Sequence, residues 1–331
     1  MISYKTLISG WDEFFFAPKP TESIAIFRIL WGSLLLIYFF FDLGNIETIY
    51  GPHGILSLKT VSTQFQYPHL NLFNLFGNSY DVTYTIFTIY GLAILGTILG
   101  FYTRASLLTL LCCMVSIHHR NIWVTSSSET LIRIMTILLL CSPCGHSFSI
   151  DSLLGRKYPS FKKDRDWAPW ALRLMQIQLC VVYLCTVWQK LKGETWFDGT
   201  ALYYATRYES MKNFPLPIIL DNLAALKLLT WGTLLIEIAL GTLVWIKEFR
   251  KPIIIAGIGF HLGIEYVMSI PFFEWAMMFL LFLFVTPLEV RDFIVRLRQN
   301  WISQIQETPM DEKLKSGLIW IMKPILKEAS C

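Results

Sequence analysis

Lys190 closes an apolar stretch of roughly membrane-spanning length, in the run Val187-Trp188-Gln189-Lys190-Leu191-Lys192 followed by Trp196-Phe197-Asp198-Gly199. A lysine at the mouth of a bilayer helix is either an interfacial anchor whose stem snorkels to the headgroups or a base tuned by its surroundings. On sequence physics alone the anchor is the favoured reading, for Lys190 as for Lys192. Arg173, Gln176, Tyr183, Thr186 and Lys190 follow one another at steps of three, seven, three and four, so they share one face of a helix. Arg173, near the inner end, reads as an anchor. A second polar pair, His261 and Glu265, is four residues apart and therefore neighbouring on another helix, either as a satisfied hydrogen-bonded pair or as groups that move protons. Glycines 257, 259 and 263 beside it would let another backbone come close.

The elements that position these groups are set by composition. Of 331 residues, 54% are apolar and 16% charged, with a mean hydropathy of +0.49. Those values describe an all-α polytopic membrane bundle. A span takes about 20 mostly apolar residues, and about eight candidates occur, near 24–43, 82–100, 105–118, 130–150, 168–189, 222–246, 252–269 and 271–287. The third and eighth are short.

With the N-terminus placed inside, the inner connections carry 18 Lys and Arg residues and the outer ones seven, which predicts both termini cytoplasmic. The predicted organisation is a cytoplasmic segment over 1–23, a transmembrane domain over 24–290 and a basic, amphipathic cytoplasmic tail over 291–331. In that tail, 312–327 reads as an interfacial helix broken near Pro324. The first 23 residues lack the short apolar core of a cleavable signal, so the first span is expected to stay as an anchor. The net charge of +4 lies on the inner face and suits anionic lipid heads. No clustering of basic and aromatic residues suggests nucleic acid as a partner.

In this topology Lys190 lies at the outer end of its helix, with His261 and Glu265 toward the same side. His118, His119, Arg120, Asn121 and Glu129 are expected in the same outer layer. His53 and His69 read as outer-loop residues. Cys112, Cys113, Cys180 and Cys185 fall in apolar stretches and behave as small hydrophobes. Cys141-Ser142-Pro143-Cys144 with His146 has a superficial metal or redox spacing, but no second ligand pair follows, and no metal is predicted.

Taken in order, these motifs resemble the vitamin K-dependent gamma-carboxylase and horizontally transferred transmembrane (HTTM) domain superfamily. Tyr183-Leu-Cys-Thr-Val-Trp-Gln-Lys190-Leu191 with Trp196 and Gly199 is similar to its signature. Phe27-Arg28-Ile29-Leu30-Trp31-Gly32 and Tyr50-Gly51-Pro52-His53-Gly54-Ile55-Leu56 resemble its opening. His119-Arg120-Asn121, Glu129-Thr130-Leu131-Ile132-Arg133, Pro143 and Ser149-Ile150-Asp151 resemble its central helices. Phe260-His261-Leu262 through Met268, Ile270 and Phe272 resembles its later pair.

The carboxylases oxidise a reduced naphthoquinone with O2, and the strong base so formed removes the gamma proton of a glutamate before CO2 adds. The resemblance therefore implies a lyase that forms a carbon–carbon bond, coupled to epoxidation of a vitamin K or menaquinol-type hydroquinone. It implies Lys190 as the base that deprotonates the hydroquinone, and His261 as a group hydrogen-bonding a quinone oxygen or the developing oxyanion. His119, Arg120, Asn121, Glu129, Tyr183, Trp196 and Glu265 would line the substrate or quinone pocket. Expected partners are the lipid bilayer, that of a bacterial inner or plasma membrane, and a secreted protein or peptide substrate.

The sequence departs from the animal carboxylases, which carry a large lumenal domain after the membrane part; here about 40 residues follow the last predicted span, as in short bacterial members. One such branch, the SdpB-like proteins, resembles accessory factors for maturing a secreted peptide, which is the alternative function. The glycine-acidic pair of the central motif reads Ser126-Ser127-Ser128-Glu129, which puts the loop geometry there in question. Solute transport is disfavoured by the lack of paired broken helices or inverted repeats.

Overall fold

The computed structural model describes residues 4–64, 71–155, 166–215, 217–270 and 272–307. Its helices, in chain order, are α1 (Tyr4–Phe16), α2 (Glu22–Leu43), α3 (Leu58–Gln64), α4 (Leu72–Phe76), α5 (Tyr80–Leu99), α6 (Thr103–Arg120), α7 (Ser127–Leu140), α8 (Ile150–Leu153), α9 (Trp170–Lys190), α10 (Glu194–Phe197), α11 (Ala201–Thr206), α12 (Leu223–Thr242), α13 (Lys247–Val267), α14 (Phe273–Leu281) and α15 (Pro287–Glu307). Single 3-10 turns prolong α12 to Trp245 and α14 to Phe284. Among the described residues β structure is confined to a two-residue pairing, Lys19–Pro20 against Asp166–Trp167, and a single bridge between Lys212 and Met268. The expected all-α class holds.

Among the described residues, four helices are long and apolar enough to cross a membrane: Glu22–Leu43, Tyr80–Leu99, Trp170–Lys190 and Leu223–Trp245. The other four predicted stretches also fall on helices, but on shorter or more polar ones. At 14 residues α7 is about 21 Å long at a 1.5 Å rise, short of a hydrocarbon core of about 30 Å. Helix α6 ends in His118, His119 and Arg120, and α13 opens on Lys247, Glu248, Arg250 and Lys251, five residues before Pro252. The predicted helix over 312–327 and His69 lie outside the described residues.

The chain divides into two compact units, Met1–Leu172 with Val285–Cys331, and Arg173–Phe284. In the first, α5 packs on both α2 and α6. Its turns are held by side chains from the sequence motifs. Arg28 is wholly buried and donates to the carbonyls of Cys144, at 2.6 Å, and of Phe148. The Trp31 indole donates to Thr136 Oγ1 at 3.1 Å, tying α2 to α7. Asp151 accepts from the amides of Tyr102 and Thr103 at 2.9 and 2.8 Å, satisfying the free N–H groups at the start of α6. Gly100, between α5 and α6, has φ +64°, and a Cβ there would lie 2.4 Å from Ser149 Cβ, so the turn requires glycine. Helix α15 begins with Pro287 and a reciprocal cap between Thr286 and Glu289, and Arg291 on it pairs with Glu22 at 2.6 Å.

The second unit is a bundle of α12, α13 and α14 with α9 from Arg173 onward. Helix α12 starts at Asn222, whose side chain accepts from Ala224 and Ala225 N–H groups. Its buried residues, Leu226, Thr230, Glu237, Leu240 and Gly241, keep helical spacing and form one inward face. At Gly241 a Cβ would sit 2.8 Å from Leu184, and at Gly257 a Cβ would sit 2.7 Å from Leu240 and 3.0 Å from Leu281. The expected close approach thus occurs at Gly257 and is made by side chains; Gly259 and Gly263 have nothing within 4 Å.

Candidate functional site

The second unit collects five ionisable or hydroxyl-bearing side chains at one place. Helix α9 runs without a break to Lys190 and turns over Gly193 into α10, which returns Trp196 beneath the lysine: Nζ lies 5.0 Å from the ring centroid. Gly199 follows at φ +82°, with Lys227 of α12 too close for any side chain there. Between them, Asp198 accepts from the Thr200 hydroxyl and amide, which hold its carboxyl below the usual range.

Lys190 Nζ forms an ion pair with Glu237 Oε1 on α12. The lysine side chain is 24% exposed and the glutamate side chain 7%. The second glutamate oxygen, Oε2, is buried and has no hydrogen-bond partner among the described residues. An apolar helix tolerates such a carboxylate only when a counter-charge meets it, because an unpaired charge at membrane depth is expensive. The lysine is therefore matched by a carboxylate, and an unfilled acceptor remains beside it.

Two turns further back on α9, Tyr183 reaches α13: its hydroxyl is 2.7 Å from His261 Nε2. His261 Nδ1 is 2.5 Å from Glu274 Oε2, in the first turn of α14. Tyr183, His261 and Glu274 are each 2–3% exposed. Both imidazole nitrogens are thus taken by protein groups. Glu237 lies within electrostatic reach of His261 and Glu274, and Tyr183 within reach of Glu237, so the ion pair and the hydrogen-bonded chain form one charged neighbourhood.

Glu265 is not the partner of His261. Its Oε1 accepts from the Trp275 indole at 3.1 Å, while Oε2 is buried without a partner among the described residues. Helical spacing put the two on one side of α13, but Glu274 comes across the α13–α14 turn and fills Nδ1 first. The turn itself is pinned by Asn213, which donates to the Glu265 and Val267 carbonyls, and by Ser269, whose amide donates to Met211. The rest of the predicted stripe on α9 is spent locally: Arg173 donates to Gln176 Oε1, Gln176 donates to the Leu283 carbonyl at 2.7 Å, and Thr186 bonds back to Tyr183 O.

His119, Arg120, Asn121 and Glu129 belong to the first unit. Arg120 is fully buried and donates to the carbonyls of Leu56 and Gly51, at 2.8 and 2.5 Å. Asn121 donates to Ile49 O and accepts from the Trp123 amide. Glu129 accepts from the Tyr38 hydroxyl at 2.7 Å and closes a capping box with Ser126 at the start of α7. None of Ser126, Ser127 and Ser128 has a positive φ, so serine in place of glycine in this motif leaves the turn unstrained. His119 is half-buried at the end of α6. Among the described residues, no group of three or more His, Cys, Asp or Glu is placed to hold a metal ion.

Sequence reasoning missed Glu237 and Glu274. Each had a signal: Glu237 interrupts Leu234-Leu235-Ile236 and Ile238-Ala239-Leu240, and Glu274 stands inside the eighth predicted span. A carboxylate in an apolar helix is a functional candidate by default.

The site sits inside a region with a wider match. The profile of the HTTM domain matches residues 16–288. The chain belongs to the HTTM domain family. It is also similar to the uncharacterized protein YitO of Bacillus subtilis strain 168, at 26% identity over 123 residues, which is 35% of this chain and 39% of that protein. The match therefore spans about two-fifths of the length of that curated relative. No solved structure matches. Family membership and four apolar helices make this HTTM protein an integral membrane protein with a lipid environment.

Proposed function

We propose that this HTTM protein is a membrane-embedded enzyme of gamma-carboxylase type, with Lys190 as its base. The observation that carries the reading is the ion pair of Lys190 with Glu237, set over Trp196 and beside the Tyr183–His261–Glu274 chain. A reduced naphthoquinone fits these residues: it offers hydroxyl donors, which Glu237 Oε2 lacks, and a flat ring of the kind the Trp196 face accepts. Such a hydroquinone, when bound, supplies the reducing equivalents and, with O2, the strong base that glutamate carboxylation needs.

The chain's own part is proton handling. Transfer of one proton from Nζ to Glu237 Oε1 leaves both groups neutral and gives the amine a free lone pair, ready to take a hydroxyl proton. The pair then holds a positive charge on Nζ, which stabilises the anion formed opposite it. Lys192, bonded to Gln189 and lying over Trp188, is outside this geometry.

The reading extends to an eight-helix arrangement in a bacterial plasma membrane with both termini cytoplasmic, supported by the bias of basic residues. A secreted protein or peptide is the substrate. Purified protein in lipid, given a reduced naphthoquinone, O2, bicarbonate and a short glutamate peptide, is expected to form epoxide, and Lys190→Ala is expected to abolish this while still inserting. Full activity in Lys190→Ala would remove the lysine from the mechanism. No epoxide from folded protein with any of several naphthoquinols would move the assignment to an SdpB-like accessory role.

A further inference from the structure

The geometry points to Glu274 as a positioning residue that makes this site select the reduced, hydroxyl-bearing form of its ligand over the oxidised, carbonyl-bearing form. The inference rests on the proposed function for the ligand class but not for the carboxylation chemistry. It starts from the two faces of one imidazole. Glu274 Oε2 stands 2.5 Å from Nδ1, and an ionised carboxylate only accepts, so the proton of a neutral His261 sits on Nδ1. Nε2 is then an acceptor, and the hydroxyl 2.7 Å away must donate to it, so the Tyr183 proton points at His261.

What remains of Tyr183 toward any ligand is an oxygen lone pair. Glu237 Oε2, in the same charged neighbourhood, is also an acceptor, buried, with no partner among the described residues, and the nearby Lys190 Nζ is engaged by Oε1 of the same carboxylate. Glu237 lies within electrostatic reach of Tyr183. Two acceptors in one desolvated place attract a group that donates hydrogen bonds and repel one that only accepts. A hydroquinone hydroxyl donates; a quinone carbonyl does not. Leaving a buried acceptor unmatched is costly, and a site built on hydrogen bonds therefore discriminates strongly between such forms. In this arrangement His261 does not touch the ligand; it sets which way Tyr183 points, and Glu274 sets His261.

Removing the carboxylate frees Nδ1 to lose its proton to Nε2. Tyr183 would then accept from Nε2 and turn its own proton outward, toward a carbonyl. The inference thus predicts a reversal rather than a plain loss.

The test uses the full-length protein in lipid nanodiscs with 15N-labelled histidine, its His261 signals assigned by their loss in His261→Gln. Wild-type protein is expected to show a protonated Nδ1 and an unprotonated Nε2, and to bind reduced menadione at least tenfold more tightly than menadione under anaerobic conditions. Glu274→Ala is expected to move the proton to Nε2 and to abolish or invert that preference, while Glu248→Gln, at an exposed position in the first turn of α13, changes neither. The wild-type measurements need no variant to fold. A proton on Nε2 in wild-type protein, or equal or absent binding of the two forms, would overturn the inference. Preferential binding of the reduced form without any epoxide formation would leave it standing and sink the carboxylase reading alone.

Discussion

Lys190 and Glu237 are 47 positions apart in sequence and joined as an ion pair, the lysine at the end of α9 and the glutamate on the inward face of α12. The pair costs desolvation and is secured by mutual attraction, so removing one partner exposes the cost of the other. Glu237→Ala is expected to destabilise the protein by about 3 kcal/mol through the stranded lysine. Lys190→Met combined with Glu237→Leu is expected to recover most of that loss. Thermal unfolding of wild type, Lys190→Met, Glu237→Leu and the double variant in one detergent gives the coupling, and additive losses would show that the two charges do not support each other.

The hydroxyl of Tyr183 is a different kind of group, because its ring packs in the unit whether or not the oxygen is present. Tyr183→Phe keeps the ring and leaves His261 Nε2 without its partner. A loss of about 1–2 kcal/mol is expected from the unsatisfied nitrogen. On the proposed function, the same variant is expected to reduce quinol oxidation by at least tenfold with little change in expression. Unchanged turnover in Tyr183→Phe would take the phenol out of the site.

The motifs legible in the sequence do two kinds of work, and that division was not legible. Arg28, Arg120, Asn121, Glu129 and Asp151 are spent on carbonyls, amides and caps within the first unit. Tyr183, Lys190 and His261 face other ionisable groups within the second. Spacing along one helix identifies a shared face but not what crosses to meet it. Spacing along α13 therefore offers Glu265 to His261, whereas the partner that meets it, Glu274, comes from α14, and the partner of Lys190, Glu237, comes from α12. The helices themselves were readable, since long apolar runs have few other ways to fold, but span number was not. Runs such as α7 are apolar enough to be buried without being long enough to cross on their own.

Arg120 offers a sharp check on the structural side of that division. Its guanidinium reaches two carbonyls, on Gly51 and Leu56, and so ties the connection after α2 to the end of α6. A lysine keeps the charge but offers a point rather than a fork, and cannot hold both acceptors in the same geometry. Arg120→Lys is therefore expected to cost about 2–3 kcal/mol in thermal stability. Its effect on ligand binding should be explained by that loss alone, as measured at a temperature where both proteins are folded. A stable Arg120→Lys with lost binding would instead put Arg120 in a ligand's path.

The box at the start of α7 extends the same logic to the serines. Ser126→Ala removes one side of the cap and should cost about 1 kcal/mol, whereas Ser126→Gly should cost only a few tenths. Because Ser126 is extended rather than left-handed, glycine gains nothing there by way of backbone freedom. A glycine that stabilised the protein would mean the turn strains in a way its backbone angles do not display.

Gly257 lies one turn before His261 on α13, so its packing controls where the imidazole sits. A Cβ there meets Leu240 at 2.7 Å and Leu281 at 3.0 Å, both at the ends of flexible side chains, and alanine can be accommodated by small rotamer shifts. A valine or leucine cannot, and overpacking of this kind costs about 1–3 kcal/mol. More telling than stability is the expected displacement of α13 from α12 and α14, which would lengthen the His261–Glu274 contact. Gly259 and Gly263 point into open space, so the same substitutions there should be tolerated. The 15N tautomer signal of His261 reads the difference directly. It is expected to change in Gly257→Leu and to stay as in the parent in Gly259→Leu and Gly263→Leu, and the opposite pattern would mean that the histidine is held by its own helix rather than by the neighbours packed on Gly257.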